Sequence, residues 1–288
     1  NPNKHSAKIL HSNYHVSGGA IPVVISFDRQ YIPYAKVVVN SILSKASSGV
    51  KLYCFALDLQ DNDLDYFREL MSKHNGEFEV VHFDSNALNQ FQKFHYLTKA
   101  TYLRIFIPEF VKEPKVLYVD CDTLFLDDVA KLYAESFDGH AIIAAPDWSF
   151  ERAEPGFFPS LSKLDLPEDE MYVNCGIAVF DNDYLKRIDF TNLCLEIHER
   201  YKDQLSFADQ CVINKVLAGK KKTLSKSWNT QVMSGEQDLQ PLLPAQAIHY
   251  IGHIKGWMAS QAKPFNHQTW LSAALSFGLK REEIGVID

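Results

Sequence analysis

The segment Ile21–Phe27 constrains this chain more than any other. Its Val23, Val24 and Ile25 form a continuous apolar, β-branched run. Such a strand is apolar on both sides of its pleat and needs cover on both faces. A polar break, Asp28-Arg29-Gln30, follows, and then Tyr34–Ser44 places Ala35, Val38, Val39 and Ile42 at offsets of three and four, as on one helix face. Lys51–Leu57 reads as a strand, Leu64–His74 as a helix closed by Asn75-Gly76, and Phe78–Phe83 as a strand. This alternation predicts a doubly wound α/β fold.

Downstream, Thr98–Phe110 reads as a helix, and Val116–Val119 as a short strand running into Asp120-Cys121-Asp122. Ile142–Ala145 is a strand ending at Pro146-Asp147, and Ala178–Phe180 is a strand following Asn174-Cys175-Gly176. Leu193–Tyr201 and Asp209–Leu217 read as helices, and the Pro-rich stretches Glu154–Pro159 and Gln240–Pro244 as surface loops. No repeat or Gly/Ser linker divides the 288 residues, so one domain with additions is expected. The expected division is an N-terminal extension at 1–20, a nucleotide-binding domain at 21–258 and a helical C-terminal extension at 259–288.

Charge and cysteine usage narrow the function classes. With 29 Lys+Arg against 36 Asp+Glu and a net charge of −7, no whole-protein basic footprint for a nucleic acid polymer exists. An acidic chain that handles anionic substrates needs a device for it, such as a bound cation. The five cysteines are odd in number and include no C-x-x-C pair, which argues against a disulfide framework or structural zinc and for reduced thiols in a cytosol. No apolar run is long enough to span a bilayer, and the polar stretch Asn1–Gly19 lacks the apolar segment of a signal peptide. A cytoplasmic location is expected.

Two segments carry chemistry. Asp120 and Asp122 stand two apart at the end of a buried strand, where open α/β sheets place their ligand crevice. Paired carboxylates repel unless a cation or proton lies between them. A divalent metal bridging to a diphosphate would satisfy both, although an acidic turn is the plain alternative. The second segment is His249-Tyr250-Ile251-Gly252-His253-Ile254-Lys255-Gly256-Trp257. His249 could add an imidazole ligand and tilt the choice from Mg²⁺ to Mn²⁺. Gly252 would admit a phosphate close to the backbone, Lys255 would bind it as a point charge, and Trp257 would cover the site or stack on substrate. A strand with a capping histidine and a core tryptophan is the alternative, and His253 reads as a bystander.

Taken together and in order, these segments resemble glycosyltransferase family 8, the group that includes bacterial lipopolysaccharide and lipooligosaccharide α-galactosyl- and α-glucosyltransferases. The resemblance runs from Ile21 to Trp257 through VVISFDRQY, TYLR (Thr101–Arg104), VLYVDCDTLF, AAPD, YVNCGIAVF, FADQCVINKVL and HYIGHIKGW. It implies a GT-A type α/β fold, a single Rossmann-like nucleotide-binding domain with a mixed central sheet and an irregular C-terminal extension. It also implies a UDP-sugar donor, Mn²⁺ (with Mg²⁺ as the alternative) and retention of anomeric configuration. By position, Asp120, Asp122 and His249 are the implied metal ligands. Ser26, Asp28, Tyr31, Arg104, Cys121, Asn174, Gly252 and Lys255 join Asp120 and Asp122 as implied donor contacts, with Asp28 on uracil and Tyr31 stacked on it. Asp147, Asp209 and Gln210 are the implied catalytic group around the transferred sugar. Each has a plainer alternative: Asp28 as a loop cap, Tyr31 as a packing aromatic, Arg104 as a solvated helix charge, Asn174-Cys175-Gly176 as a turn, Asp209 as a helix cap.

The chain departs from the family pattern at Gly256, where the family usually has Pro, and at Cys211, where some members carry a second Asp. The basic, aromatic tail that anchors many members to membrane is not seen in this sequence. The expected acceptor is a saccharide or glycolipid, the growing lipopolysaccharide core at the inner face of the cytoplasmic membrane, with peripheral membrane association as an option. Two other functions remain open at this level: a UDP-sugar-binding protein without transferase activity, and a metal-dependent phosphohydrolase or nucleotidyltransferase using the same carboxylates.

Overall fold

A computed structural model describes residues 8–12, 19–91, 98–148 and 161–286. Its centre is an eight-stranded mixed sheet built from β1 (Lys8–Ser12), β2 (Ile21–Phe27), β3 (Val50–Leu57), β4 (Glu77–Phe83), β5 (Lys115–Val119), β7 (Ile142–Pro146), β8 (Val173–Asp181) and β9 (Lys221–Thr223). The strand order is β1-β4-β3-β2-β5-β8-β7-β9. β2 lies parallel to both β3 and β5, while β8 runs antiparallel to β5 and β7. A second sheet has the order β10-β11-β6, from β6 (Thr123–Phe125), β10 (Thr230–Val232) and β11 (Ala247–Tyr250). The expected α/β fold with a mixed central sheet is what the chain forms.

All seven residues of β2 are buried, as its unbroken apolar character requires. The pleat sorts the side chains by parity. Val24, Tyr53, Phe55 and Tyr118 enter the core on one face of the sheet. Val23, Ile25, Cys54, Leu117 and Val119 enter the core on the other. A third cluster joins Tyr34 and Val37 to Leu124, Ile248, Tyr250, Trp257, Trp270 and Ala274. Helix Pro264–Ser276 therefore buries its Trp270 against the small sheet rather than standing apart from it.

Local readings differ from the structure at three places. Lys99–Phe106 winds as a 3-10 helix, and only Ile107–Phe110 is α-helical. Pro108 has no N–H to return to Arg104, so the α-turn starts afresh around it. Asn174-Cys175-Gly176 is no turn; it lies inside β8. Lys8–Ser12, within the stretch read as an N-terminal extension, pairs antiparallel with β4. The Pro-rich stretch 154–159 lies outside the described residues. Among the described residues no helix is long and apolar enough to cross a membrane.

This topology places the Asp-x-Asp pair at a corner. The chain leaves the large sheet at the end of β5, turns through Asp120-Cys121-Asp122, and enters the small sheet as β6. Thr123 Oγ1 closes the turn by donating to the Asp120 carbonyl at 2.8 Å. Tyr250 N–H donates to the Asp122 carbonyl at 2.9 Å, and β6 pairs with β11 so that His249 lies opposite Thr123.

Candidate functional site

Asp120, Asp122 and His249 converge at that corner, with one donor atom of each within 4.8 Å of the others. His249 Nε2 stands 3.1 Å from Asp122 Oδ1 and 3.9 Å from Asp120 Oδ2. Among the described residues no donor is aligned on the buried Asp122 Oδ1, which has only the His249 ring nitrogen beside it, and that is costly for a carboxylate oxygen. β8 makes room for the group with Gly176, where an added Cβ would lie 2.6 Å from Asp120 Oδ2 and would collide with the His249 ring. An orphaned buried oxygen, converging oxygen and nitrogen donors and a glycine-lined space together fit a divalent cation.

Cationic side chains already balance these carboxylates. Lys255 Nζ donates to Asp122 Oδ2 at 2.5 Å and to the Tyr250 carbonyl at 2.8 Å. Burial alone would raise the Asp122 carboxyl, but the Lys255 ammonium beside it holds it well below the usual carboxylate range. Asp120 Oδ1 accepts from the Tyr118 hydroxyl at 2.9 Å and from Arg104 Nη1 at 3.3 Å. Ser26 and Tyr118 hydroxyls meet at 2.8 Å, and because the Tyr118 O–H already points at Asp120, Ser26 is the donor of that pair.

Arg104 is buried, which removes its reading as a solvated charge. Its Nε donates to Asp209 Oδ2, its Nη1 to the Cys175 carbonyl at 2.9 Å, and its Nη2 to Thr101 Oγ1 at 3.1 Å. Thr101 Oγ1 in turn donates to Asp209 Oδ1 at 2.8 Å. Burial works to discharge Arg104, but Asp209 and Asp120 hold it firmly protonated. Asp209 sits in the first turn of helix Ala208–Val216 and bonds Arg104 and Thr101, and the helix cap position falls to Phe207. Burial pushes the Asp209 carboxyl up, against the pull of Arg104.

A second polar group adjoins the first. Asn174 Nδ2 and Gln210 Nε2 both donate to Asp147 Oδ2 at 3.0 Å. The backbone N–H of Cys175 donates to Gln210 Oε1 at 3.1 Å, and that of Gly176 to Asn174 Oδ1 at 3.0 Å. Asn229 Nδ2 also donates to Asn174 Oδ1 at 3.0 Å, and Asn229 Oδ1 meets His249 Nδ1 at 3.0 Å. Sequence reasoning missed Asn229 and Tyr118. A neutral amide and a strand tyrosine carry no pattern of their own; only the strand register brings them to the site.

Above the corner lies a cavity of about 70 Å³ lined by Ser26, Tyr31, Asp120, Cys121, Asp122 and Lys255, among others. Tyr31 packs edge-to-face with Tyr34 and Trp257. Asp28 and Gly252 are outside this lining. Asp28 Oδ1 caps the turn Arg29–Tyr31 by accepting from Gln30 N–H at 3.0 Å. Gly252 takes a left-handed φ of +77°, and a Cβ there would meet Met233 Sδ at 2.9 Å. Trp257 is buried and stacks on Tyr34 with ring centroids 3.7 Å apart, so that face is not offered to a ligand.

The sequence profile described as Glycosyl transferase family 8 matches residues 22–261. General stress protein A of Bacillus subtilis (strain 168) is 23% identical over 236 residues, covering 76% of this chain and 80% of that protein. Glycosyltransferase GlyF of Streptococcus pneumoniae serotype 4 (strain ATCC BAA-334 / TIGR4) is 22% identical over 256 residues, covering 86% of this chain and 60% of that protein. This chain spans less still, 35%, of glycosyltransferase GlyA from the same strain. Among solved structures, the galactosyltransferase LgtC in complex with donor and acceptor sugar analogs superposes with a TM-score of 0.79 at 20% identity, covering 91% of this chain and 98% of that one. The apo bifunctional glycosyltransferase WbbM superposes with a TM-score of 0.74 at 21% identity, covering 96% of this chain and 52% of that one. At these identities the superpositions speak to the fold, which is of the GT-A type.

Proposed function

The chain belongs to glycosyltransferase family 8, and from that premise we propose that it moves galactose or glucose from a UDP-sugar to a saccharide acceptor with retention of anomeric configuration. The observation that carries this reading is the convergence of Asp120, Asp122 and His249 beside Lys255 at the edge of one cavity. Asp120, Asp122 and His249 would hold the cation, Mn²⁺ by the oxygen-plus-imidazole donor set. A divalent ion there supplies Lewis-acid stabilisation to the diphosphate leaving group. Lys255 adds a positive charge that can pass from Asp122 to a phosphate oxygen. Ser26, Tyr31 and Cys121 line the space for the nucleotide.

Asp147, Asn174 and Gln210 form the polar wall for the transferred sugar, with Asp209 fixed behind them. Retention through a covalent intermediate needs a carboxylate free to attack C1. Asp209 is a poor candidate, because Thr101 and Arg104 occupy both of its oxygens. Gln210 is a neutral amide whose carbonyl is taken by Cys175 N–H. Asp147 has its Oδ2 held by both Asn174 and Gln210, and with Asp209 and Gln210 engaged as well these constraints favour same-face attack. The bond from C1 to the leaving phosphate oxygen breaks, the bond from C1 to the acceptor oxygen forms, and the leaving phosphate takes the acceptor hydroxyl proton. We take the acceptor to be a lipopolysaccharide or lipooligosaccharide core, met at the inner face of the cytoplasmic membrane.

A hydrolysis screen of UDP-sugars with Mn²⁺ tests the reading, since slow transfer to water needs no knowledge of the acceptor. UDP release from UDP-galactose or UDP-glucose is expected. Release of UMP instead would assign a pyrophosphatase, and binding of UDP without turnover on any sugar or acceptor would assign a binding protein.

A further inference from the structure

Asn229 stands one residue before β10, 1% exposed, with its side-chain amide between His249 and Asn174. The question it answers is which ring nitrogen of His249 carries the proton. A neutral imidazole has one donor and one acceptor nitrogen, and only the acceptor can bind a cation.

Every amide in the chain of contacts has a forced orientation. Asp147 is a carboxylate and only accepts, so Asn174 must turn its amino group toward it. The Gly176 N–H independently fixes the Asn174 carbonyl on the opposite side. That carbonyl then demands a donor from Asn229, which therefore presents its amino group to Asn174 and its carbonyl to His249. A carbonyl facing Nδ1 needs a proton there. Nε2 is then the nitrogen left to offer a lone pair to a bound cation, and it is Nε2 that faces Asp122 Oδ1 and Asp120 Oδ2.

We propose that Asn229 is a positioning residue for the cation site: it locks His249 in the Nδ1–H form and, through Asn174, ties the imidazole to Asp147. The inference rests on reading Asp120, Asp122 and His249 as ligands of a divalent cation. Donation runs one way, from His249 to Asn229, from Asn229 to Asn174, and from Asn174 to Asp147. The negative end of this relay is Asp147, so each bond polarises the next and enriches the Nε2 lone pair. The sugar-facing wall and the cation site are therefore wired together by two neutral amides, neither of which touches the cation.

The test uses ¹⁵N-labelled, metal-free protein. Long-range ¹H–¹⁵N correlations distinguish the two tautomers of a neutral imidazole, and loss of the signal in His249→Gln assigns it. A proton on Nδ1 is expected in the wild type, with or without a second on the Nε2 that faces Asp122; a ring protonated on Nε2 alone overturns the proposal whatever the variants do. Mn²⁺ affinity is then read from the free-ion electron paramagnetic resonance signal. Asn229→Leu, which removes the acceptor, should release the tautomer and weaken Mn²⁺ binding about 10–100-fold. Asn229→Asp, which keeps an acceptor toward Nδ1 but sets a second oxygen against the Asn174 carbonyl, should preserve the Nδ1–H form and bind Mn²⁺ more tightly than Asn229→Leu. If wild type binds Mn²⁺ and Asn229→Leu binds it as tightly, the inference falls alone. If wild type binds no Mn²⁺, the cation reading falls and takes the inference with it.

Discussion

Gly176 and His249 stand so close that no carbon atom fits between them. An alanine Cβ at 176 would run into the imidazole and would lie 2.9 Å from its Nε2. Both are held by strands, Gly176 in the large sheet and His249 in the small one, so neither can step aside cheaply.

Gly176→Ala should therefore damage the site rather than the fold. A drop in Mn²⁺ affinity of about 10–100-fold is expected, as for loss of a group that orients a ligand. The far-UV circular dichroism spectrum should not change, because alanine suits a strand at least as well as glycine. Unaltered Mn²⁺ binding in this variant would mean that His249 is not a ligand.

Lys255→Met should separate two effects. Lys255 is the partner of Asp122 Oδ2, and a cation at Asp120 and Asp122 would compete with it. Removing the ammonium should leave Mn²⁺ affinity equal or higher. Turnover should fall by about 10²–10³-fold, as when one donor to a developing negative charge is lost. Parallel titration and steady-state kinetics check this; turnover within a few-fold of wild type would remove Lys255 from the leaving-group role.

Breaking the Arg104–Asp209 pair should cost stability. Both side chains are buried, and removing one leaves the other charge without compensation. Arg104→Met should lower unfolding stability by about 3–5 kcal/mol. The double variant Arg104→Met/Asp209→Leu should be less destabilised than the sum of its parts. Additivity in chemical denaturation would show that the two side chains do not act as a unit.

His198 predicts a pH dependence away from the site. It is buried with its ring edge-on to Phe91 and Tyr102, and burial lowers its pKa below the ordinary 6.5. The unfolded chain then binds more protons than the folded one between the two values. Folding stability contributed here is complete above the unfolded pKa and declines as pH falls through the folded one. Thermal melts from pH 7.5 down to 5.5 should show a fall in Tm that is shallower in His198→Phe. Parallel curves for the two proteins would refute the assignment.

The large sheet and the Asp-x-Asp corner could be read in the sequence because their signals are local. An apolar strand that ends in two aspartates is conspicuous, and so is a histidine six residues before a lysine. The strands β6, β9 and β10 are three residues each, too short for any period to emerge. Arg104 was expected at the donor; the structure gives its guanidinium to Asp209, Asp120, Thr101 and the Cys175 carbonyl. Asp28 takes the cap that its position after β2 allows. Asn229 shows the general limit: its meaning lies in the direction of three hydrogen bonds, and direction is not written in residue type.

The Asp120 and Asp122 carboxylates belong to the loop that leaves the large sheet, while the His249 imidazole belongs to the small sheet. An ion bound across them would act as a further clasp between two β-layers that Asn229–Asn174 and Gln231–Pro146 hydrogen bonds already join. Its grip would reach the strands behind it, and slowed hydrogen exchange along β10 and β11 would measure how far. In such a molecule, loading the site and tightening the body are one event.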